Sequence, residues 1–258
     1  MAGRRRLETR GFGGEAPIPP LSRLTERLEE RPWIEADLTT FRLLESLRPQ
    51  VAAGIGAVAA GGEFYGVRWR EAIGGVRNGL LREAPFSEPD ALAMDARAIV
   101  NEVRAPFAAM PAPSALEIVD RHFGDPAEAG AAIRDVYGSL MRTMRDAGVA
   151  GHVMIAPTPL DEELEDLSSP FTFFYCPDPN PKAIEILLDH QRPLALPGRR
   201  AAGLAALIDQ VGRRPIYLIA PTEEEVSAAL EVLDPDHLRI GGFCPKDCDT
   251  YWQQLAAQ

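Results

Sequence analysis

Apolar runs recurring at a nearly constant interval constrain this chain more than any other feature. From Gly151 onward they fall at residues 153–155, 171–175, 194–196, 216–219 and 238–240, with starts about 20 residues apart. Between them lie stretches of helical patterning near 160–167, 181–190, 201–211, 222–233 and 246–256. Strand-sized runs alternating with helix-sized ones describe βα units around a parallel sheet, because a parallel crossover needs a helix-length connection. A barrel of eight such units takes about 250 residues, and the chain has 258. The expected fold is therefore α/β: a (β/α)8 TIM-type barrel with an extra helical N-terminal region.

The first half reads less regularly. Gly11, Gly13, Gly14, Pro17, Pro19 and Pro20 mark residues 1–20 as a loop-rich lead-in, which leaves 21–258 as a single barrel-like domain. Ser22 opens a short charged helix that ends near Arg31-Pro32. A second helix is expected over 36–48, with Leu38, Phe41, Leu44 and Leu47 on one face and Pro49 as its stop. The apolar run 51–62 reads as a buried strand, 72–81 as another and 106–110 as a third. Helices are expected over 87–103, 114–123 and 126–146, the first opened by Ser87 with Pro89 and Asp90 in its first turn.

Charge and cysteine content narrow the partners. With 27 Lys+Arg against 38 Asp+Glu the net charge is −11, which argues against nucleic acid or an acidic membrane surface as the main partner. The 51–62 run covers 12 residues, too short to span a bilayer. Arg4, Arg5 and Arg6 have no apolar stretch behind them, so no signal peptide is expected. Three cysteines do not make a disulfide framework, and the expected compartment is the reducing cytoplasm.

In a parallel α/β fold the functional groups gather beyond the carboxyl ends of the strands. Those ends carry Thr158, Cys176, Gly198-Arg199, Thr222-Glu223 and Cys244, with Cys248 four residues later. All three cysteines thus fall at one edge. One reading makes Cys176, Cys244 and Cys248 thiolate ligands of a zinc ion whose fourth position holds a substrate thiol as a nucleophile. The other makes Cys176 a small buried hydrophobe and Cys244/Cys248 a chance pair in a terminal loop. Glu63, after Gly61-Gly62, either binds a substrate ammonium or belongs to a surface loop. His152 and His237 fall at strand entrances, and His122 and His190 late in helices, which gives them structural or solvent roles. The acidic residues of 161–166 and 223–225 suit helix N-termini. Gly11-Phe12-Gly13-Gly14 and Gly54-Ile55-Gly56 lack the strand–GxGxxG–helix context, and Walker, HExxH, GxSxG and CxxC motifs are absent.

Met110-Pro111-Ala112-Pro113-Ser114, then Phe123-Gly124-Asp125 and the helix over 127–148, resemble a passage of a known superfamily. It contains cobalamin-independent methionine synthase, uroporphyrinogen decarboxylase and the corrinoid-linked methyltransferases. The strand from His152 to Pro157 is similar to its "DEP" strand, Phe173-Phe174-Tyr175-Cys176 to its "HxC" zinc strand, and Gly61-Gly62-Glu63 to its "GE". Pro235-Asp236-His237-Leu238-Arg239-Ile240 and Cys244 resemble the approach to its last zinc cysteine. Residue by residue, the resemblance carries over only Cys176, Cys244 and Glu63. Phe174 stands at the ligand histidine, Ile155-Ala156 at the acidic pair and Pro197-Gly198 at the glutamate ligand, which makes Cys248 a replacement ligand.

The resemblance implies a methyltransferase-like enzyme acting on a small-molecule thiol or methyl-donor substrate, with a corrinoid protein as a further partner. Glu63, Thr158 and Arg199 are the expected substrate-binding residues, and Cys176, Cys244 and Cys248 the expected zinc ligands. Two alternatives stand beside it: a catalytically degenerate barrel that serves as a binding or scaffold protein, and a metal-free lyase of the same superfamily.

Overall fold

The computed structural model describes residues 7–30, 37–246 and 248–257. The chain begins its regular structure with β1 (Thr9–Gly14), followed by α1 (Leu21–Glu30), α2 (Leu38–Ala53), β2 (Ala59–Gly61) and a 3-10 turn that runs into α3 (Gly66–Ala72). A hairpin of β3 (Ile73–Arg77) and β4 (Leu80–Ser87) leads to α4 (Asp90–Glu102), β5 (Phe107–Pro111), β6 (Val119–Asp120) and α5 (Pro126–Asp146). Strict alternation follows: β7 (Gly151–Ile155), α6 (Asp161–Leu167), β8 (Thr172–Tyr175), α7 (Pro181–His190) and β9 (Leu194–Pro197). A 3-10 segment with α8 (Ile208–Val211), then β10 (Ile216–Ile219), α9 (Glu223–Leu230), β11 (Leu238–Cys244) and α10 (Cys248–Ala256), complete it.

Eight of these strands are parallel and lie in two sheets of four, β1-β11-β10-β9 and β2-β5-β7-β8. Side chains alternate along each strand, and the inward set packs as its own cluster around Phe12, Val153, Phe173, Tyr175 and Tyr217. The Phe12 ring meets Phe173 at 4.9 Å, Tyr175 at 5.2 Å and Tyr217 at 5.4 Å. The two sheets therefore share one filled interior. Arg10 also enters it, with its guanidinium 4.2 Å from the Phe107 ring centre and 5.3 Å from that of Phe173. A β1 cation thus packs on rings of the opposite sheet. The outward set lies under the helices, where Trp69 of α3 stacks on Tyr137 of α5 at 4.2 Å.

Backbone ladders do not close this ring of strands. Between β1 and β2 there is a single bridge, Arg10 with Ala57. Between β8 and β9, no ladder is present among the described residues. A glutamine amide serves each gap. Gln50 of α2 accepts from the Ala59 N–H (2.9 Å) and donates to the Ala59 carbonyl (2.7 Å). Gln191 accepts from the Phe174 N–H (2.8 Å) and donates to its carbonyl (2.9 Å). Each amide satisfies one residue's backbone in place of a neighbouring strand.

Several first-half expectations are corrected. The stretch read as a loop-rich lead-in holds β1, and α1 and α2 follow that strand, so the described residues contain no helical region ahead of it. Pro49 lies inside α2, which continues to Ala53 and ends on left-handed Gly54. Proline removes one N–H from the helix ladder, while the turns on either side carry buried Leu47 and Gln50. Consequently only Ala59–Gly61 of the run 51–62 is strand. The 72–81 strand is a hairpin, turned at Asn78 (φ 52°) and Gly79 (φ 73°), a pair that favours type I′ turns. Ser87 ends β4 and does not open α4, and 114–123 holds a 3-10 turn and β6 in place of a helix. Gly198–Leu207 is 3-10, so α-helix occupies only the end of 201–211. The expected boundaries at Arg31-Pro32 and Ala36 lie outside the described residues.

Candidate functional site

At the carboxyl ends of the strands, short loops bring β1, β2, β8, β9 and β11 together. Gly14 of β1 pairs with Cys244 of β11, and the next residue, Glu15, donates its N–H to the Cys244 carbonyl at 2.7 Å. The Glu15 carboxylate then accepts the Glu63 N–H at 2.7 Å. A Cβ on Gly62 would lie 2.5 Å from the Gly14 carbonyl oxygen, so glycine alone permits this close crossing of β1 and β2. Burial raises the Glu15 carboxyl above its ordinary range, and the Glu63 carboxylate adds to the rise, against the lowering effect of the Glu63 amide. The Glu63 side chain is itself exposed.

Tyr175, at the end of β8, points into the shared interior and is buried. Burial chiefly raises its phenol pKa, Tyr251 of α10, Cys176 and the Glu63 carboxylate raise it further, and Arg199 lowers it. Groups of both signs therefore act on this phenol. Its ring also lies 5.8 Å from that of Phe243. Arg199, 61% exposed, pairs with Asp178 at 2.7 Å. Asp178 in turn lines a cleft of about 320 Å³ with Thr158, Asn180 and Lys182, between the loops that follow β7 and β8. Glu63, Thr158 and Arg199 each follow the carboxyl end of a strand, β2, β7 and β9, at the mouth of the ring, and Asp178 links the last two, lining the cleft with Thr158 and pairing with Arg199.

The three cysteines do not assemble as a zinc centre. Cys244 and Cys248 are joined to each other in a disulfide, against the expectation of free thiols. Cys176 is a buried free thiol, packed in the layer under the helices, and its sulfur donates to the Pro157 carbonyl at 3.4 Å. Burial raises that thiol above its ordinary range. The reason is strand alternation. Tyr175 takes the inward position, so Cys176 and Phe174 face outward. Among the described residues no three His, Cys, Asp or Glu side chains are grouped to hold a metal ion. A sulfur in a disulfide offers no thiolate, and these donors do not fit a zinc-thiolate site.

None of the histidines lies at this mouth. His152 is fully buried on β7 with neither ring nitrogen hydrogen-bonded, and burial, with a smaller effect of Arg145, lowers its pKa to about 3. His190 ends α7 beside Asp161 at 3.3 Å. His122 lies in the loop after β6, not late in a helix. Sequence reasoning missed Glu15, Tyr175 and Tyr251. Glu15 directly follows Gly13-Gly14 in a stretch read as loop, and Tyr175 stands next to the cysteine that drew attention.

No helix among the described residues is long and apolar enough to cross a membrane. No family profile and no curated protein matches the sequence. Solved structures do. A putative vitamin-B12 independent methionine synthase from Listeria monocytogenes superposes with a TM-score of 0.69 at 14% identity, over 95% of this chain and 94% of that one. A B12-independent methionine synthase from Shewanella sp. W3-18-1, in complex with selenomethionine, gives 0.65 at 13% identity over 98% and 96%. The protein is thus an α/β chain of parallel strands and surrounding helices whose fold is similar, over nearly its whole length, to that of these methionine synthase structures.

Proposed function

We propose that the mouth binds a small zwitterionic α-amino acid of the sulfur-containing class, in a methyltransferase-like enzyme. The observation that carries this reading is the placement of two side chains of opposite charge, Glu63 and Arg199, just past the carboxyl ends of β2 and β9, with Arg199 held by Asp178 at 2.7 Å. Glu63 takes the ammonium, Arg199 takes the carboxylate in exchange for Asp178, and the buried aromatic floor of Tyr175 and Phe243 receives the side chain. Binding of selenomethionine by the Shewanella protein supports the class of ligand. A methyl donor, whether a small molecule or a corrinoid protein, approaches over the same face, and Thr158 lines its rim. No step is assigned to zinc.

The disulfide favours a second reading, in which the site binds the amino acid without transferring a methyl group, because two of the cysteines expected to hold an acceptor-activating zinc are paired with each other. Calorimetry with methionine and homocysteine tests the shared part. Glu63→Gln and Arg199→Gln should each weaken binding by about tenfold or more, the worth of a charge-assisted hydrogen bond. The methionine methyl ester should bind the wild type as weakly as methionine binds the Arg199 variant. Unchanged affinity in both variants would overturn the site. Mass-spectrometric search for methylated homocysteine then separates enzyme from binder.

A further inference from the structure

The Cys244–Cys248 bond has an unusual economy. It closes a loop only four residues in span, and a cross-link that short removes less freedom from the unfolded chain than one across a long loop. It is also not needed to hold α10 in place beyond its first turn. Trp252 is fully buried, and a Cβ on Gly242 would lie 2.5 Å from its ring, so helix and strand are already in close contact. A bond that is not the only tie between this helix and strand is available for chemistry.

We propose that Cys244 and Cys248 form a reversible dithiol–disulfide pair whose state is transmitted to the mouth. Cys248 is the half-buried sulfur and Cys244 the enclosed one, 1% exposed. An external dithiol attacks the Cys248 sulfur as thiolate. The Cys244–Cys248 bond breaks, Cys244 leaves as a thiolate and takes up a proton, and a mixed disulfide remains on Cys248. The second thiol of the reductant then displaces Cys248. The protein disulfide is reduced to two thiols and the external dithiol is oxidised to its own disulfide.

Two connections carry the change outward. The Cys244 carbonyl holds the Glu15 N–H, and the Glu15 carboxylate holds the Glu63 N–H, which leads from the bond to the proposed ammonium contact. On the other side, α10 starts at Cys248 and packs Trp252 against Gly242 of β11, the strand whose Phe243 ring lies 5.8 Å from that of Tyr175. Reduction frees the first turn of α10 from β11 and loosens both walls. The exchange itself is independent of what the mouth binds. Only its effect on affinity rests on the amino-acid reading.

The test uses the full chain, folded, in dithiothreitol or in oxidised glutathione, followed by alkylation and mass spectrometry. Expected is one label in the folded reduced protein, on half-buried Cys248, and none in the oxidised one, with Cys244 (1% exposed) enclosed in both. Helical circular dichroism should be unchanged, Cys176 unlabelled, and the label pattern reversible on reoxidation. Tryptic cleavage after the exposed Lys246 should rise severalfold on reduction, and not change with redox state in a Cys244→Ser/Cys248→Ser variant. Reduction only after denaturation would overturn the proposal and leave a purely structural bond. One zinc per chain taken up by the reduced wild type and lost in that variant would also overturn it, making the pair a metal site. Correct redox labelling without any change in methionine affinity would remove the coupling to the mouth, whereas absence of methionine binding in either state would remove the amino-acid reading and leave the exchange standing.

Discussion

The two gaps between the parallel sheets use the same device and differ in how deeply it is set. At β1/β2 the Gln50 amide is fully buried, and it also donates to the Ser46 carbonyl at 2.8 Å. Ser46 in turn accepts the Gly61 N–H at 2.9 Å. Gly11 makes room, since a Cβ there would lie 2.0 Å from the Gln50 amide oxygen. At β8/β9 Gln191 is only half-buried, outside any helix, and its carbonyl is held by Arg214 at 3.1 Å. A cleft lined by Leu188, Gln191, Gln210 and Arg214 opens beside it. Where water reaches a polar group, it replaces a lost partner; where it does not, the group is left unsatisfied. The first gap is locked into the core. The second borders a cleft open to solvent.

The largest effect expected is acid sensitivity at His152 of β7, the strand between β5 and β8. His152 pairs in register with Thr172 of β8, and its pKa in the folded protein is about 3 against the ordinary 6.5. The unfolded chain therefore takes the proton first. Stability is complete above about pH 6.5 and falls as the pH drops toward about 3, by roughly 3 kcal/mol at about pH 4.5. Urea unfolding of wild type and His152→Leu at that pH and at neutrality checks this, the variant losing the acid limb. Hydrogen exchange in acid should open the Phe174 amide before that of Ala59, and the reverse order would break the comparison.

Next in size is Gln50→Leu, which strands the Ala59 N–H and carbonyl in the core and should cost about 3 kcal/mol. Smallest is Gln191→Leu, about 1 kcal/mol, because solvent reaches the vacated backbone groups. Both are read from denaturant midpoints at unchanged slope. Equal costs for the two glutamines would show that the second gap is as well sealed as the first.

Legibility in the sequence follows the same division. Strands β7 to β11 announce themselves because each is an apolar run covered on both faces, and α5 and α7 open with Pro126 and Pro181 behind capping Asp125 and Asn180. β1 does not, because its glycines are there for close approach. Gly13 has φ 98°, and a Cβ on it would lie 2.6 Å from the Gly61 carbonyl oxygen. That requirement belongs to a neighbour 48 residues away and looks locally like a loop. Pro49 misled for a similar reason: a local breaker was outweighed by the packing of the turns around it.

What the sequence by itself determined was the α/β alternation, the carboxyl edge on which Glu63, Thr158, Cys176, Arg199 and Cys244 would fall, and the acidic excess. All of these follow from local order along the chain. Only the tertiary structure decided which way each side chain points from that edge. One step along β8 separates inward Tyr175 from outward Cys176, and strand alternation turns that step into the difference between a residue of the mouth and a residue under the helices. The pairing of Cys244 with Cys248 and the two glutamine-filled gaps were likewise set in three dimensions, the first by how the start of α10 returns to the end of β11, the others by which backbone groups a finished neighbour leaves unsatisfied.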